Sequence, residues 1–450
     1  MTLDRTMTQH HPEAKDEAVE GTRPGNYFVS NYPPYAYWGP ENCERARQAL
    51  NHPPRPETPL GMYVHIPFCR KRCHFCYFKV YTGTNHDQVN EYVKRLLGEL
   101  GIYLALPMIG GRGLDFLYFG GGTPSFLSRE DIRLLFEGIR KRSDLSRIRE
   151  ITFECEPGTI TRAKLETLHE VGVTRLSLGV ENFDAHVLEI NGRAHRTDEI
   201  YRAFEAAQDV GFDQINIDLI AGMLDETESN WTDTVSKAIE LGPDSVTIYQ
   251  MEIPFNTTIY KRMRDEGSLT APVADWTVKR HWVDEAFKRF ESAGYTVSSA
   301  YTVVKDPTRT RFMYRDLLWR GADLFSLGVA SFSHVNGIHY QNHQDIETYQ
   351  NTIDQGGLPI FRALEPTDDE RLIREFILQL KLGTIDSTYF SEKFGVRIED
   401  RFKDAIASLD SRGFLDRSDP GVQLTRDALL QVDGLLTQFF NPEHRDYRHA

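Results

Sequence analysis

From Gly61 onward the chain alternates short strand-like runs with longer helical runs. The strand-like runs cover residues 114–119, 150–155, 175–180, 214–220 and 245–251, and the helical runs cover residues 88–104, 129–142, 162–171, 197–210 and 230–241. Repeated strand-then-helix units predict a parallel sheet with helical crossovers. We therefore expect an α/β fold, a partial or complete (β/α) barrel whose functional site lies at the carboxyl ends of the strands.

Polar residues alternate with apolar residues along several of these strands. Thr152, Glu154 and Glu156 share one face of their strand, whereas Ile151 and Phe153 share the other. The same alternation puts further polar or small residues on one face of the next two strands, namely Arg175, Ser177, Gly179, Glu181, Asn216 and Asp218. A buried parallel sheet is apolar on both faces. The polar face of this sheet is therefore predicted to line a cavity.

Three cysteines follow the first strand-like run at the spacing C-x3-C-x2-C. Cys69, Cys73 and Cys76 come directly after residues 63–66, so their thiolates are expected to cluster in one loop at the carboxyl end of a strand. A structural zinc site usually has two separated ligand pairs, and the sequence has no second pair. Thiolates also bind iron–sulfur clusters, and a [4Fe–4S] cluster held by three cysteines leaves one iron open to another ligand.

Charge and composition narrow the class of protein. A net charge of −14 argues against nonspecific binding to nucleic acid or to anionic membranes. There is no apolar run of about 18 residues and no apolar core of a signal peptide, so we expect a cytoplasmic protein without a membrane partner. Five cysteines are too few for a disulfide framework, and Cys43 and Cys155 are expected to be packed residues.

The stretch from Tyr63 to Phe78, with YVHIPFC followed by two further cysteines, resembles the signature of the radical S-adenosylmethionine (SAM) superfamily. It is most similar to the HemN-like, or oxygen-independent coproporphyrinogen III oxidase-like, family. The resemblance implies a [4Fe–4S] cluster on Cys69, Cys73 and Cys76, with SAM bound to the open iron. In that superfamily one electron from the cluster cleaves SAM to methionine and a 5′-deoxyadenosyl radical. We therefore expect a small-molecule substrate and an electron donor such as flavodoxin or ferredoxin.

The resemblance also implies a domain organisation. Residues 1–20 are expected to be a disordered lead and residues 21–55 an aromatic, proline-rich arm that either packs on the barrel or covers the substrate. Residues 56–360 would form the radical SAM barrel. Residues 361–450 look like the small winged-helix-like C-terminal domain of the same family, with a hairpin-like wing at residues 413–425. Because acidic residues outnumber basic ones, no nucleic-acid partner is expected.

Positions matching the family motifs are implied to contact SAM. Phe75 matches the aromatic position beside the adenine, and the glycine-rich turn after the second strand offers backbone groups to the amino and carboxylate ends of SAM. Arg193 can pair with the SAM carboxylate. The full set of implied SAM contacts is Tyr63, Phe75, Gly121, Gly122, Thr123, Glu154, Glu181, Arg193 and Asp218. Glu181 stands where the oxidases carry glutamine, which adds negative charge to the cavity.

Gln250 and Glu252 lie at the end of the sixth strand, where a second ligand would sit. A carboxylate there could remove a proton from an intermediate or stabilise a sulfonium ion. His65, Tyr301 and His334 are further residues that could line the cavity.

The family contains three kinds of protein, which are porphyrinogen oxidases, two-SAM methylating or cyclopropanating enzymes, and haem chaperones. Two departures separate this chain from the oxidases. Phe78 replaces a further cysteine of the oxidases, and the arm at residues 27–33 has no arginine to pair with propionates. We therefore expect a C-methyltransferase or cyclopropanase that uses a second SAM molecule as the methyl or methylene donor to a secondary metabolite. Oxidative decarboxylation of a porphyrinogen and haem carriage remain alternatives.

Overall fold

The computed structural model describes residues 28–267, 271–416 and 421–445. Its main element is a sheet of twelve strands in the order β12-β11-β10-β9-β1-β2-β3-β4-β5-β6-β8-β7. The strands are β1 Leu60–Ile66, β2 Phe116–Gly121, β3 Glu150–Cys155, β4 Arg175–Glu181, β5 Gln214–Ala221, β6 Ser245–Gln250, β7 Thr296–Val297, β8 Thr302–Val304, β9 Asp323–Leu327, β10 Phe332–Val335, β11 Ile338–Asn342 and β12 Ile360–Leu364. Strands β1 to β6 and β9 are parallel, and the outer strands are antiparallel. Strands β12 and β7 are the two ends of the sheet and do not pair with each other, so the sheet is a partial barrel, which confirms the expected α/β fold.

Helices connect the parallel strands, and most of them begin at a side-chain cap. Asn85 and Gln88 form a capping box at the start of α2, and Gly211 ends α6 in a left-handed conformation. The helices are α1 Cys43–Leu50, α2 His86–Leu104, α3 Arg129–Arg142, α4 Arg162–Glu170, α5 Ala185–Ile190, α6 Thr197–Val210, α7 Glu228–Leu241, α8 Thr258–Glu266, α9 Trp276–Ser292, α10 Met313–Leu318, α11 Ile346–Asp354, α12 Asp368–Leu380, α13 Ser387–Phe394, α14 Ile398–Arg401, α15 Lys403–Ser411, α16 Arg426–Leu430 and α17 Val432–Leu436. In the part of the chain that is described, no helix has the length and hydropathy needed to cross a membrane.

The register of the parallel strands brings the polar residues together. Glu154 lies opposite Ser177, Ser177 opposite Asn216, and Gly179 opposite Asp218. The apolar residues between them pack under the helices in one large core, which includes Phe153, Leu176, Ile217 and Val246. The predicted division into an apolar face and a polar face is therefore confirmed for β3, β4 and β5, and the cavity along the polar face stays a prediction.

Two short stretches depart from the regular alternation of strands and helices. Residues 295–301 do not form one strand, because Ser298 turns the chain and donates its N–H to the Thr302 carbonyl at 2.8 Å. The turn separates β7 from β8, which then pair antiparallel. In the proline-rich arm, residues 35–37 form one turn of 3-10 helix.

A second core lies below the sheet and joins the C-terminal helices to the arm. Val29 and Tyr32 of the arm are fully buried there with residues of α12, α13 and α17. Two short strands, β13 Thr384–Ile385 and β14 Val422–Gln423, pair antiparallel in this part of the chain. The hairpin expected at residues 413–425 is described only at its ends, where Leu415 bridges Leu424. The expected lead at residues 1–20 lies outside the described residues, and the domain bounds stay a prediction.

Candidate active site

The three cysteines occupy one loop directly after β1. The N–H of Cys69 donates to the Tyr81 carbonyl at 3.1 Å, and the N–H of His74 donates to the Asn191 carbonyl at 2.9 Å. Both ends of the loop are therefore held by backbone hydrogen bonds. All three cysteines are free thiols, as are Cys43 and Cys155, which are buried in the core as predicted.

The thiols of this loop fit a multi-iron cluster. Burial, together with the neighbouring Cys73, raises the pKa of Cys69 to about 11 and that of Cys76 to about 12. Metals bind thiolates, so iron binding here would release protons. Among the described residues, no three His, Cys, Asp or Glu side chains meet closely enough to hold a single ion. A cluster of four irons spaces its ligands more widely than one ion does, and three thiols in one loop match that donor set.

The glycine-rich turn after β2 packs directly against the cysteine loop. The N–H of Gly122 donates to the Ile66 carbonyl at 2.8 Å, and the N–H of Thr123 donates to the Phe68 carbonyl at 2.9 Å. A Cβ on Gly122 would lie 2.9 Å from the Ile66 oxygen. The Thr123 hydroxyl also donates to the Cys69 sulfur at 3.2 Å. Glycine is thus required here because two loops touch through their backbones.

Three carboxylates meet on the polar face of the sheet beside this turn. Glu154 accepts hydrogen bonds from the Tyr118 hydroxyl at 2.6 Å and from the Gly121 N–H at 3.2 Å. Burial raises the pKa of Glu154 and that of Glu181 to about 7, and it also raises the pKa of Asp218. Each of the two glutamates is affected by the charge of Asp218. This acidic part of the polar face, the predicted cavity, favours a bound cation, because a cation would stabilise the charged forms of the three carboxyl groups.

Arg193 links this acidic cavity to the cysteine loop. Its Nη1 donates to the Cys73 sulfur at 3.3 Å, and its Nη2 donates to the Gly179 carbonyl at 2.6 Å and lies 3.5 Å from Glu181. Its buried Nε has no hydrogen-bond partner within the described chain. Glu181 itself sits at a β-bulge with a positive φ of 63°, which turns its side chain towards Arg193.

A further network supports the loop and was missed from the sequence. Glu156 binds Arg70 of the cysteine loop at 2.9 Å and lies 3.4 Å from His195. Although burial opposes it, hydrogen bonds from His195 and Arg70 lower the pKa of Glu156 to about 2. The sequence predicts the polar-face position of Glu156, but no local signal pairs it with a residue more than eighty positions earlier.

The two predicted aromatic residues lie on different sides of the site. Tyr63 stacks on Tyr118 with ring centroids 5.9 Å apart, and its hydroxyl lies 3.3 Å from Nδ1 of His65. Phe75 instead packs against an apolar cluster that includes Met223 and Met251. The acidic cavity thus has an aromatic wall near β1 and an apolar wall near the end of β6.

Gln250 and Glu252 line a cavity between β6, the arm and the C-terminal helices. This space of about 50 Å³ is also lined by Phe28, Tyr301 and Asp433. Glu252 accepts a hydrogen bond from the N–H of Phe28, and burial raises its pKa to about 8. Gln250 donates to the Leu430 carbonyl at 3.0 Å.

Two of the histidines noted in the sequence do not bring charge to the site. His65 is buried beside Gly121, and burial lowers its pKa to about 4, so it is neutral. His334 pairs with the second residue of β9, at the end of the sheet away from the cysteine loop. There its Nδ1 lies 3.0 Å from Nδ1 of His339. His334 therefore does not line the acidic cavity.

Comparisons with known proteins agree with this geometry. The family model of the radical SAM superfamily matches residues 63–238. The chain is 28% identical to the haem chaperone HemW of Bacillus subtilis, over 82% of this chain and 96% of that protein. It is 26% identical to the oxygen-independent coproporphyrinogen III oxidase of Escherichia coli, over 85% of this chain and 86% of that protein.

The solved structure of coproporphyrinogen III oxidase (HemN) from Escherichia coli, a radical SAM enzyme, superposes with a TM-score of 0.79 at 25% identity. The superposition covers 92% of this chain and 96% of that chain. The fold, the cysteine loop and these similarities lead to one conclusion. This chain contains a radical SAM domain and is similar to HemN-like proteins over most of its length, and its cofactors are a [4Fe–4S] cluster and SAM.

Proposed function

We propose that this radical SAM enzyme binds SAM in the acidic cavity between the cysteine loop and the polar face of β3, β4 and β5. The observation that supports this most directly is the group of three buried carboxylates, Glu154, Glu181 and Asp218, next to free thiols. The sulfonium of SAM is a cation, and a buried carboxylate gains most from a cationic partner. Cys69, Cys73 and Cys76 are proposed to hold the cluster.

The bound cluster supplies the electron that cleaves SAM and so provides the radical chemistry. The protein's own residues position the cofactor. Arg193 offers its unpartnered Nε–H to the SAM carboxylate, while Glu154 and Asp218 accept from ribose hydroxyls or face the sulfonium. The glycine turn, Tyr63 and Phe75 complete the walls. A low-potential carrier of the cytoplasm, a flavodoxin or ferredoxin, is proposed to deliver the electron.

For the reaction, we propose transfer of a methyl or methylene group from SAM to carbon of a small molecule. Glu252 supports this, because a carboxyl group with a pKa of about 8 can exchange a proton with an intermediate near neutral pH. Two exposed aromatic rings lie next to the cysteine loop, those of Tyr77 and Phe78, with centroids 4.5 Å apart. They suit an apolar substrate and help to exclude water. The acidic lining is less suited to a substrate with several carboxylates.

Oxidative decarboxylation of a porphyrinogen is a second candidate. It is favoured by the likeness to the Escherichia coli oxidase over most of both chains. Phe78, in place of the additional cysteine, argues against it. Haem carriage is a third candidate, favoured by the likeness to HemW.

The experiment that tests the proposal is anaerobic. The full chain is reconstituted with iron and sulfide, reduced with dithionite and incubated with SAM carrying a labelled methyl group, in the presence of a small-molecule cell extract. We expect 5′-deoxyadenosine, S-adenosylhomocysteine and labelled carbon in an acid-stable product. Absence of 5′-deoxyadenosine would refute SAM cleavage altogether.

Parallel incubations separate the three reactions. If the protein releases carbon dioxide from coproporphyrinogen III and forms no S-adenosylhomocysteine, oxidative decarboxylation replaces methyl transfer as the proposed reaction. If the protein binds haem stoichiometrically and turns over neither substrate, haem carriage replaces both enzymatic reactions as the proposed function.

A further inference from the structure

A polar cavity of about 240 Å³ lies at the end of the sheet away from the cysteine loop. It is located at the first residues of β4 and β6 and is closed by the segment that leads into α10. Its lining includes Arg175, Ser245, Thr302, Thr310, Arg311 and Arg315. Neither SAM nor the proposed substrate needs this cavity, because the thiols and the acidic carboxylates lie at the opposite strand ends.

Arg175 is the deepest charged group of this cavity. Only 2% of the residue is exposed, and its Nε and Nη1 have no hydrogen-bond partner anywhere in the described ranges. The guanidinium carbon lies 4.3 Å from the centroid of the Phe312 ring, which covers one face of the group. Buried polar groups are nearly always hydrogen-bonded, so donors left open in a polar cavity indicate a ligand that accepts from them.

Two further arginines face the same space. The guanidinium carbon of Arg315 lies 5.9 Å from the centroid of the same Phe312 ring, and its buried Nη1 also lacks a partner among the described residues. Its Nε donates to Asp316 at 2.8 Å, which leaves the opposite side of the guanidinium open. Arg311 is exposed at the rim. The lining therefore contains three guanidinium groups and a single carboxylate, that of Asp316.

The carboxylates around Arg175 do not occupy these donors. Glu150, Glu154 and Asp218 are close enough for the charge of Arg175 to lower their pKa values. Glu150 is instead engaged by the N–H of Met313 at 3.1 Å and by the Thr152 hydroxyl at 3.0 Å. The unpartnered donors, Nε and Nη1 of Arg175 and Nη1 of Arg315, thus remain available to a ligand that enters the cavity.

We propose that this cavity binds a small oxyanion, the carboxylate or phosphate group of a metabolite, between Arg175, Arg311 and Arg315. Guanidinium groups match both anions because their planar donors bind two oxygens at once. The hydroxyls of Ser245, Thr302 and Thr310 supply further donors around the anion.

Binding is measured by isothermal titration calorimetry on the full chain with its cluster reconstituted, under anaerobic conditions and at constant ionic strength. Inorganic phosphate and succinate are titrated separately, so that the two arms distinguish a phosphate ligand from a carboxylate ligand. The variant is Arg311→Gln, because Arg311 is exposed and its replacement leaves the core intact. Arg309→Gln, an exposed arginine of the same segment that does not line the cavity, is the matched control.

We expect at least one anion to bind the parent chain and the Arg309→Gln control equally. The same anion should bind Arg311→Gln about tenfold more weakly, because that is the usual effect of losing one charge-assisted hydrogen bond. No binding of either anion at millimolar concentration would overturn the proposal. Equal binding to Arg311→Gln and the parent would also overturn it, since the anion would then bind elsewhere. SAM cleavage, assayed on the same samples, reports separately on the proposed function.

Discussion

Burial and the nearest charges set the pKa values of individual side chains at the site. Glu154 and Glu181 keep pKa values of about 7 because the cavity disfavours two more negative charges beside Asp218. Arg193 is the cation beside Glu181, and it also touches the Cys73 sulfur, whereas Arg175 is the cation that acts on Glu154 and Asp218. The site therefore combines thiols, carboxylates and arginines, and a cationic ligand would relieve the repulsion between the carboxylates.

Cys73→Ala removes one proposed cluster ligand. We expect a lower iron content per chain and no 5′-deoxyadenosine, because two thiolates do not hold the cluster. Iron analysis and mass spectrometry check this result. Cys43→Ala, which removes a packed thiol from α1, is the control and should keep both iron and SAM cleavage. SAM cleavage by Cys73→Ala at the parent rate would contradict the assignment of the cluster.

SAM affinity is expected to depend on the ionisation of Glu154. Above its pKa of about 7 the carboxylate is charged and attracts the sulfonium, and below that pH it is protonated and neutral. At pH 8 the parent should bind SAM about tenfold more tightly than Glu154→Gln, and at pH 6 the two should converge. Equilibrium dialysis without reductant measures this. Glu240→Gln, on the exposed end of α7, should match the parent at both pH values. A ratio that does not change with pH would exclude this role.

At the scale of elements, the site depends on how the loops after β1, β2 and β4 contact one another. The glycine turn after β2 is hydrogen-bonded to the cysteine loop along two successive residues. Arg193, which follows α5, reaches the same loop from the other side. The cysteine loop is therefore held between the glycine turn after β2 and the segment that carries Arg193. Its conformation depends on how closely these two segments approach it.

Gly122→Ala tests this contact, because the added methyl group would meet the backbone of Ile66, Pro67 and Phe68 at 2.9–3.0 Å. Overpacking of this kind costs about 1–3 kcal/mol and should displace the cysteine loop. We expect reduced iron content and reduced 5′-deoxyadenosine after reconstitution. Gly101→Ala, in α2 where a methyl group meets nothing within 4 Å, should behave as the parent. Normal iron content in Gly122→Ala would show that the loop adapts.

At the scale of the whole molecule, Lys381 joins three parts of the chain. Its fully buried ammonium group lies 2.8 Å from Asp433 of α17 and donates to the Val29 carbonyl of the arm at 2.6 Å. It also lies 3.9 Å from the centroid of the Phe28 ring. The arm, the end of α12 and the last helices are thus fastened next to Glu252, whose carboxylate accepts from Phe28.

Lys381→Met is expected to loosen this junction. It leaves Asp433 buried without its cation, which should lower the free energy of unfolding by about 3–5 kcal/mol. Urea unfolding followed by circular dichroism measures the change. Lys94→Met, which removes a solvent-exposed pair with Glu91, is the control and should leave stability nearly unchanged. Similar unfolding midpoints for the two variants would show that the junction contributes little.

The sequence alone determined the features that depend on local periodicity and spacing. Alternation along β3 and β5 predicted both the strands and the polar face, because side chains of a strand point to opposite faces in turn. The cysteine spacing predicted a shared loop because the three residues are close together in the chain. The roles assigned to Tyr63, Phe75 and the other proposed SAM contacts stay predictions.

Only the tertiary structure decided the contacts between segments far apart in the chain. Glu156 meets Arg70 across 86 residues, and Glu252 meets Phe28 across 224. The bulge that turns Glu181 towards Arg193 and the arginine-lined cavity at the opposite strand ends likewise come from strand register and packing. No local pattern encodes such pairings, because they depend on which elements pack together rather than on the order of residues within one element.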